Sequence, residues 1–127
     1  MATQPPFDPA RARYVSLATF RRDGSEVRTP VWMAPADGRH YVFSAGDAGK
    51  VKRIRATARV RIAECDLRGE IKSGWIDGRG RVLQDKAEVR RALQALRTKY
   101  GLQMTLGDFF SKLSGRFSRR AYLEITL

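Results

Sequence analysis

The chain has 127 residues, which fits one domain with a compact core, and a formal net charge of +12, which favours an anionic partner. One histidine and one cysteine cannot by themselves build a zinc site, and a lone cysteine forms no internal disulfide, as is usual in a reducing cytoplasm. The sequence contains no run of about 18 apolar residues, so no membrane span is predicted. We therefore expect a cytoplasmic protein with no metal centre and no membrane segment.

The first part of the chain predicts strands. Residues 1–13 carry three prolines and are interpreted as an N-terminal arm, with a single domain over 14–127. Asp-Gly pairs at 23–24 and 37–38 are turn signals. Pro30 marks an edge, a bulge or a ligand-facing gap, because proline cannot donate a ladder hydrogen bond. The predicted strands form an antiparallel meander: Tyr14–Phe20, Glu26–Ala34 and His40–Ser44.

The rest of the chain mixes helices and strands. Asp47 can cap a short helix that turns Val51 and Ile54 inward. Glycines within 71–83 suggest a bulge or a close backbone approach. The predicted elements are a helix over about 48–56, strands at Ala58–Cys65 and over 71–83, a helix from Asp85 to Gly101 with Glu88 at capping-box spacing, a short helix after Thr105, and a strand at Arg119–Leu127. This order predicts an α+β fold, mainly an antiparallel sheet that could close into a barrel.

The most unusual stretch is the basic run SAGDAGKVKRIRATARVRI, which spans Ser44–Ile62 and has no acidic residue after Asp47. On a helix, Lys50 and Arg53 share one face and Lys52 and Arg55 share another. We expect Lys50 and Arg53 to be exposed at the start of this helix. Small residues precede it, so backbone N–H groups could approach an anion there.

Three interpretations of this run stay open: a site for a phosphate-bearing ligand, a solvated basic helix face, or a nucleic-acid surface. Nucleic acid is the least favoured, because aromatic residues do not interleave with the run and no common nucleic-acid-binding motif is present. The GxxxxGK[ST] phosphate loop, the GxGxxG dinucleotide fingerprint and the GxSxG nucleophile elbow are absent as well. No residue stands out as a catalytic acid, base or nucleophile.

The order of these segments resembles a known family. YVSLATFRRDGSEVRTPVWM, then HYVFSAGDAGKVKRIRATARVRIAECDLRG, then GRGRVL before a helix are similar to the pyridoxamine 5′-phosphate oxidase-like split β-barrel proteins, over Tyr14–Leu83. The branch most similar is the flavin/deazaflavin oxidoreductases that use coenzyme F420. The resemblance implies a split β-barrel with flanking helices and a homodimer with a flavin-like cofactor at the subunit interface.

The resemblance also implies roles for particular residues. The strand that borders the cofactor ring would be Arg28, Thr29, Pro30 and Val31, and the second strand that lines the cofactor would contribute Phe43 and Ser44. The cofactor phosphate would bind at the start of the basic helix, to Gly49, Lys50 and Arg53, with Lys52 and Arg55 as weaker candidates. Trp32 and Trp75 are candidates for the substrate side and equally for packing aromatics.

The activity that the resemblance implies is hydride transfer between reduced F420 and a small organic substrate. F420 carries a phosphodiester and an oligoglutamate tail, so surplus cations in the basic run favour it mildly over FMN. The alternatives are an FMN-dependent oxidoreductase and a non-catalytic flavin-, F420- or haem-binding protein on the same barrel. The substrate-recognition tail of true pyridoxamine phosphate oxidases is not visible in this sequence, which is also shorter, so we do not expect vitamin B6 oxidation.

Overall fold

A computed structural model describes residues 5–45, 49–101 and 120–127. These ranges contain β1 (Tyr14–Phe20), β2 (Glu26–Val31), β3 (Met33–Ala36), β4 (Arg39–Ala45), α1 (Gly49–Ala56), β5 (Arg59–Cys65), β6 (Ile76–Val82), α2 (Lys86–Tyr100) and β7 (Arg120–Thr126). The predicted Asp47 cap and the predicted helix after Thr105 lie outside the described residues. Neither described helix is long and apolar enough to cross a membrane.

All seven strands belong to one sheet, in the order β2-β1-β5-β6-β7-β4-β3, and every neighbouring pair is antiparallel. The edge strands β2 and β3 are joined by the single residue Trp32. Because consecutive Cα atoms are about 3.8 Å apart, the two edges must come together there. The sheet is therefore rolled into a split barrel, and the predicted α+β split-barrel fold is confirmed. We call the place where the edges meet the seam.

Two predictions for the first strands are wrong. The stretch Glu26–Ala34 is not one strand, because the chain leaves β2 at Val31 and enters β3 at Met33. The first strands do not form a meander either, because β2 and β3 lie at opposite edges of the sheet. The unbroken β-type sequence hides the crossing at Trp32. Of the three alternatives for Pro30, an edge, a bulge or a ligand-facing gap, the structure shows the edge, because Pro30 lies on the edge strand β2.

The barrel interior is the main core. Val51 and Ile54 of α1 are buried in it, as predicted. A Cβ on Gly80 would lie 3.2 Å from Val60 and 3.3 Å from Ile54, so this glycine lets α1 pack close to β6. The predicted N-terminal arm adds Phe7 and Ala12 to the same core, whose strand members are Val15, Leu17, Val31, Met33, Val42, Val60, Ile62, Leu123 and Ile125.

Helix α2 covers the outer face of β3, β4 and β7. Its N-cap is Asp85, as predicted, and the carboxylate accepts a hydrogen bond from the Ala87 N–H at 2.9 Å. Gly101 ends the helix with a φ of 54°, in the left-handed region. The side chains that α2 buries against the sheet are Ala92, Ala95, Leu96 and Tyr100, with Val89 and Leu93 partly buried beside them.

The last turn of α2 holds the seam together. The Tyr100 hydroxyl accepts from the Met33 N–H at 3.0 Å and lies 3.0 Å from the Arg13 carbonyl oxygen. The Lys99 ammonium donates to the carbonyl oxygens of Ala12 at 2.7 Å and Met33 at 2.5 Å. The Trp32 ring stacks on Tyr100 with centroids 4.7 Å apart. We call Lys99 and Tyr100 the α2 clamp, since they join the arm, the seam and the helix.

Candidate functional site

Arg53 of α1 is anchored to the barrel wall. Its Nε donates to the Oγ1 of Thr19 at 2.6 Å. Thr19 lies on β1, in register with Val27, and is 1% exposed. The alternation along β1 places it on the inner face with Val15 and Leu17. The guanidinium is therefore held at one defined position beside α1.

The guanidinium folds back over the first residue of α1. A Cβ built on Gly49 would lie 2.6 Å from Nη1 of Arg53 and 3.4 Å from Nη2. Any larger residue at position 49 would displace the guanidinium, so glycine makes room for it. The first N–H groups of α1 and the positive end of its dipole lie at the same place, which is a favourable position for an anion.

Three cations influence one another here, and we call Arg21, Lys50 and Arg53 the α1 cation cluster. The pKa of Lys50 is lowered, first by burial and then by the charge of Arg53. The pKa of Arg53 is lowered as well, first by burial and then by the charge of Arg21. Among the described residues, no carboxylate lies within ion-pair distance of the three. The cluster is positive charge that an anion would neutralise.

The expectation that Lys50 and Arg53 are exposed is wrong, since both are only partly exposed. The hydrogen bond from Arg53 to Thr19 on the barrel wall explains the partial burial of Arg53. The other predicted pair, Lys52 and Arg55, is exposed. The two faces of α1 therefore differ. The face with Lys50 and Arg53 is partly buried and is hydrogen-bonded to the barrel through Arg53, whereas the face with Lys52 and Arg55 is exposed.

Residues of β2 point to different sides of the sheet. Arg28 and Pro30 are exposed, whereas Val31 is buried in the barrel core and Thr29 is half-buried. Arg28 is paired with Ala18 of β1 and points to the same side of the sheet. Because neighbouring residues of a strand point to opposite sides and Thr19 points inward, Ala18 and Arg28 face outward. Arg28 thus lies on the opposite face of the β1–β2 hairpin from the anchor of Arg53.

The outward-facing arginines surround Trp75. The guanidinium carbons of Arg28 and Arg61 lie 4.6 Å and 4.8 Å from the centroid of the Trp75 ring, within cation–π range. Glu26 accepts from both, at 2.8 Å from Arg28 and 3.1 Å from Arg61. Ala18 lies between the two arginines in the register and is fully buried. We call this outer surface of β1, β2 and β5 the open face.

Trp32 and Phe43 form a second aromatic group. Phe43 is partly buried and meets the Trp32 ring edge-on, with centroids 6.0 Å apart. Ser44, next to it on β4, is buried. The candidate residues thus fall into three groups in the described protomer: the start of α1, the open face around Trp75, and the aromatic pair beside α2.

Arg21 and Thr19 are site residues that the sequence did not reveal. Arg21 begins a turn, and nothing in the sequence indicates that its charge acts on Arg53. Thr19 is the next-to-last residue of β1, a strand with β-branched and aromatic residues, where threonine is ordinary. The one available signal is the alternation Val15, Leu17, Thr19, which directs a hydroxyl group into an apolar interior.

The single histidine and the single cysteine of the chain both lie in strands. Cys65 is buried, as predicted, and burial raises the pKa of its thiol. Burial lowers the pKa of His40, and its Nδ1 has no hydrogen-bond partner among the described residues. Within the described ranges, no cluster of His, Cys, Asp and Glu could hold a metal ion.

Solved structures with the same fold bind several different groups. A haem storage protein from Vibrio cholerae is 11% identical, with 91% of this chain and 82% of that chain covered and a TM-score of 0.67. A FAD-binding protein from Mesorhizobium loti is 22% identical, with 93% and 81% covered and a TM-score of 0.61. An F420-H2 dependent reductase is 13% identical, with 89% and 93% covered and a TM-score of 0.60. These identities show a common fold alone.

A family model gives the stronger relationship. No curated protein matches the sequence. The model described as pyridoxamine 5′-phosphate oxidase matches residues 9–127, which is nearly the whole chain. With the split barrel and its structural neighbours, this match shows that the chain belongs to the pyridoxamine 5′-phosphate oxidase family.

Proposed function

We propose that the protein is an oxidoreductase that binds a phosphate-bearing, flavin-type cofactor and transfers a hydride between it and a small organic substrate. The observation that carries this proposal is the α1 cation cluster. The charges of Arg53 and Lys50 oppose each other at the start of α1, and the charge of Arg21 acts on Arg53. In the described chain no carboxylate lies within ion-pair distance of the three, although the pKa of Asp23 is lowered, mainly by hydrogen bonds from Ser25 and also by the charge of Arg21. Gathering like charges costs free energy, which a bound phosphate would recover.

The residues present fit a phosphate group. Arg53 has its Nε bound to Thr19, which leaves the two Nη groups to meet phosphate oxygens. Lys50 adds an ammonium on the same side of α1, and Gly49 makes room for the Arg53 guanidinium at the helix start. In this proposal Arg28, Thr29, Pro30 and Val31 border the ring, and Phe43 and Ser44 line its second side.

When bound, the cofactor would supply a ring atom that accepts or donates the hydride, which is two electrons with one proton. The protein's part is to bind and orient. The phosphate contacts fix the distance between α1 and the ring, and the aromatic side chains Trp32 and Trp75 offer apolar surface that excludes water from the substrate side. We assign no side chain to proton transfer.

We propose coenzyme F420 as the preferred cofactor and FMN as the alternative. F420 has more negative charges than FMN, and exposed Lys52 and Arg55 add further cations near the α1 cation cluster. A fold neighbour that is an F420-H2 dependent reductase and another that binds FAD support a flavin-type cofactor in general. The cytoplasm, where a lone thiol such as Cys65 stays reduced, is the proposed compartment.

We also propose that two copies associate through the open face and complete the cofactor site. Neither described helix covers this face. Helix α2 packs on β3, β4 and β7, and α1 meets β1 and β6 from the side of the barrel core, where Val51 and Ile54 are buried. The face presents Trp75 and Pro30 with both arginines and carboxylates, a mixture that suits a polar and aromatic interface. Analytical ultracentrifugation should give twice the chain mass, and a monomer with full cofactor affinity would overturn this part.

The experiment that tests the function is a fluorescence titration with F420, FMN and riboflavin at moderate salt. We expect the tightest binding for F420, weaker binding for FMN and the weakest for riboflavin, which lacks a phosphate. Binding of none of the three would overturn the proposed function. A bound cofactor that is neither reduced nor oxidised by any acceptor in a substrate screen would support the non-catalytic binding protein instead.

A further inference from the structure

We propose that Thr19 and Gly49 set the selectivity of the α1 site for a phosphate ester by fixing the Arg53 guanidinium over the first residue of α1. This inference rests on the proposed function, because it concerns the same site. It assigns positioning roles to two residues that need not touch the ligand. It also separates the attraction of anions, which any cation provides, from the recognition of a phosphate.

Thr19 is the first part of the argument. Its hydroxyl lies in an apolar interior at 1% exposure, where an unpaired hydroxyl would be costly. The cost is offset because Oγ1 accepts from Nε of Arg53 at 2.6 Å. A guanidinium offers two bidentate edges, one of which includes Nε. With Nε occupied, the edge formed by Nη1 and Nη2 is the one left for two phosphate oxygens.

Gly49 is the second part. The two Nη groups lie where a side chain at position 49 would begin, at 2.6 Å and 3.4 Å from the site of a Cβ. The φ of this glycine is not in the left-handed region, so the backbone conformation does not require glycine. The space taken by Arg53 is the reason that the structure offers for glycine at this position.

Together the two residues make Arg53 directional. Held between the hydroxyl and the glycine, the guanidinium presents one edge beside the N–H groups of α1. Released from either, it would still carry its charge, but it would sample many rotamers and lose entropy on binding. The expected signature is a loss of discrimination between a phosphorylated ring and the same ring without phosphate.

The test measures that discrimination directly. Dissociation constants are determined for FMN against riboflavin, and for F420 against its phosphate-free deazaflavin chromophore, in wild type, Thr19→Val and Thr19→Ser. Valine matches the shape of threonine and removes the acceptor. We expect about a tenfold weaker affinity for the phosphorylated ligands in Thr19→Val, unchanged affinity for the phosphate-free ligands, and recovery in Thr19→Ser.

Gly49→Ala tests the same idea without touching the barrel interior. The atoms that it meets are the far end of a flexible side chain, so the fold should tolerate it, and alanine favours a helix over glycine. We expect an unchanged or higher melting temperature and a several-fold weaker affinity for phosphorylated ligands. Thr126→Val, an exposed threonine on β7, is the matched control and should change nothing.

The outcomes separate the two proposals. If wild type binds FMN and F420 no better than their phosphate-free counterparts, the phosphate site fails and this inference fails with it. If wild type discriminates and both Thr19→Val and Gly49→Ala discriminate equally well, the proposed function stands and the positioning roles are overturned. If Thr19→Val does not fold, Gly49→Ala alone decides the matter.

Discussion

The two lysines at the ends of the helices show how the same group can serve two purposes. Lys50 at the start of α1 and Lys99 at the end of α2 are both half-buried, and burial lowers the pKa of each, that of Lys99 to about 8. Lys99 donates to two backbone carbonyl oxygens. Lys50 instead has the like charge of Arg53 as its neighbour. Hydrogen bonds from Lys99 to carbonyl oxygens join the arm and the seam, whereas Lys50 beside another cation is placed to meet an anionic ligand.

Removing the α1 cations should have the largest effect. In the Lys50→Ala, Arg53→Ala double variant we expect at least about a 100-fold loss of affinity for FMN or F420, since each charge-assisted contact contributes about 1.5–3 kcal/mol. The free energy of unfolding should fall only modestly, because the loss of the hydrogen bond to the buried Thr19 hydroxyl is partly offset by the relief of repulsion between the cations. Fluorescence titration and urea denaturation provide the two measurements.

The control removes the same charge from the other side of α1. In Lys52→Ala, Arg55→Ala both side chains are exposed, so we expect a loss of only a few-fold that high salt abolishes. An equal loss in the two double variants would show that net charge, and not the cluster, attracts the cofactor.

A substitution in the α2 clamp should lower stability and leave cofactor affinity unchanged, which is the opposite of the effect expected for the α1 cations. Tyr100→Phe removes the acceptor of the Met33 N–H and the donor to the carbonyls at the seam, so we expect about 1–3 kcal/mol of destabilisation. Cofactor affinity should be unchanged, apart from what the loss of folded protein explains. Tyr14→Phe, a half-buried tyrosine of β1, is the matched control for urea denaturation and should cost much less.

The clamp also predicts a pH dependence. Between the folded pKa of Lys99, about 8, and the ordinary lysine value of 10.5, the unfolded chain holds the proton and the folded chain does not. Raising the pH through this window therefore favours the folded state. We expect the stability of wild type relative to Lys99→Met to rise from pH 8 to pH 10.5, as measured by denaturation at fixed ionic strength. A flat or falling difference would contradict the assignment.

Tyr100 should act with the opposite sign at higher pH. Burial raises its pKa from 10.0 to about 12, so the folded chain keeps the proton longer than the unfolded chain. Stability relative to Tyr100→Phe should therefore fall as the pH rises from 10 to 12.

The smallest expected effect is the response to inorganic phosphate. If the α1 cation cluster binds the free ion weakly, millimolar phosphate should stabilise wild type by less than about 1 kcal/mol. The Lys50→Ala, Arg53→Ala variant should show no such gain, and the Lys99→Met variant should show the wild-type gain. Differential scanning fluorimetry with chloride at matched ionic strength distinguishes specific binding from screening.

Local elements were predictable because they follow from local patterns. Alternation and turn signals located β1, β4 and β5, and the apolar stripe with Asp85 and Gly101 located α2. The order of strands in the sheet was not predictable in the same way. Both sides of Trp32 have ordinary strand residues, so nothing local shows that β2 and β3 belong to opposite edges.

The same limit applies to the candidate site. Helical spacing alone placed Lys50 and Arg53 on one face of α1. Their partial burial, the bond to Thr19 and the charge of Arg21 depend on how α1 lies against the barrel. A position relative to another element is a tertiary property, and a single sequence carries no direct signal for it.

The crossing at Trp32 also has a consequence for how the protein behaves at high concentration. Strands β2 and β3 are the edges of the sheet, and edges offer unpaired N–H and C=O groups to strands of other molecules. Each carries a proline, Pro30 and Pro35, close to the seam. Since proline has no N–H to donate, the edges are poor templates for a foreign strand. The two prolines thus protect the edges of the split barrel from edge-to-edge aggregation.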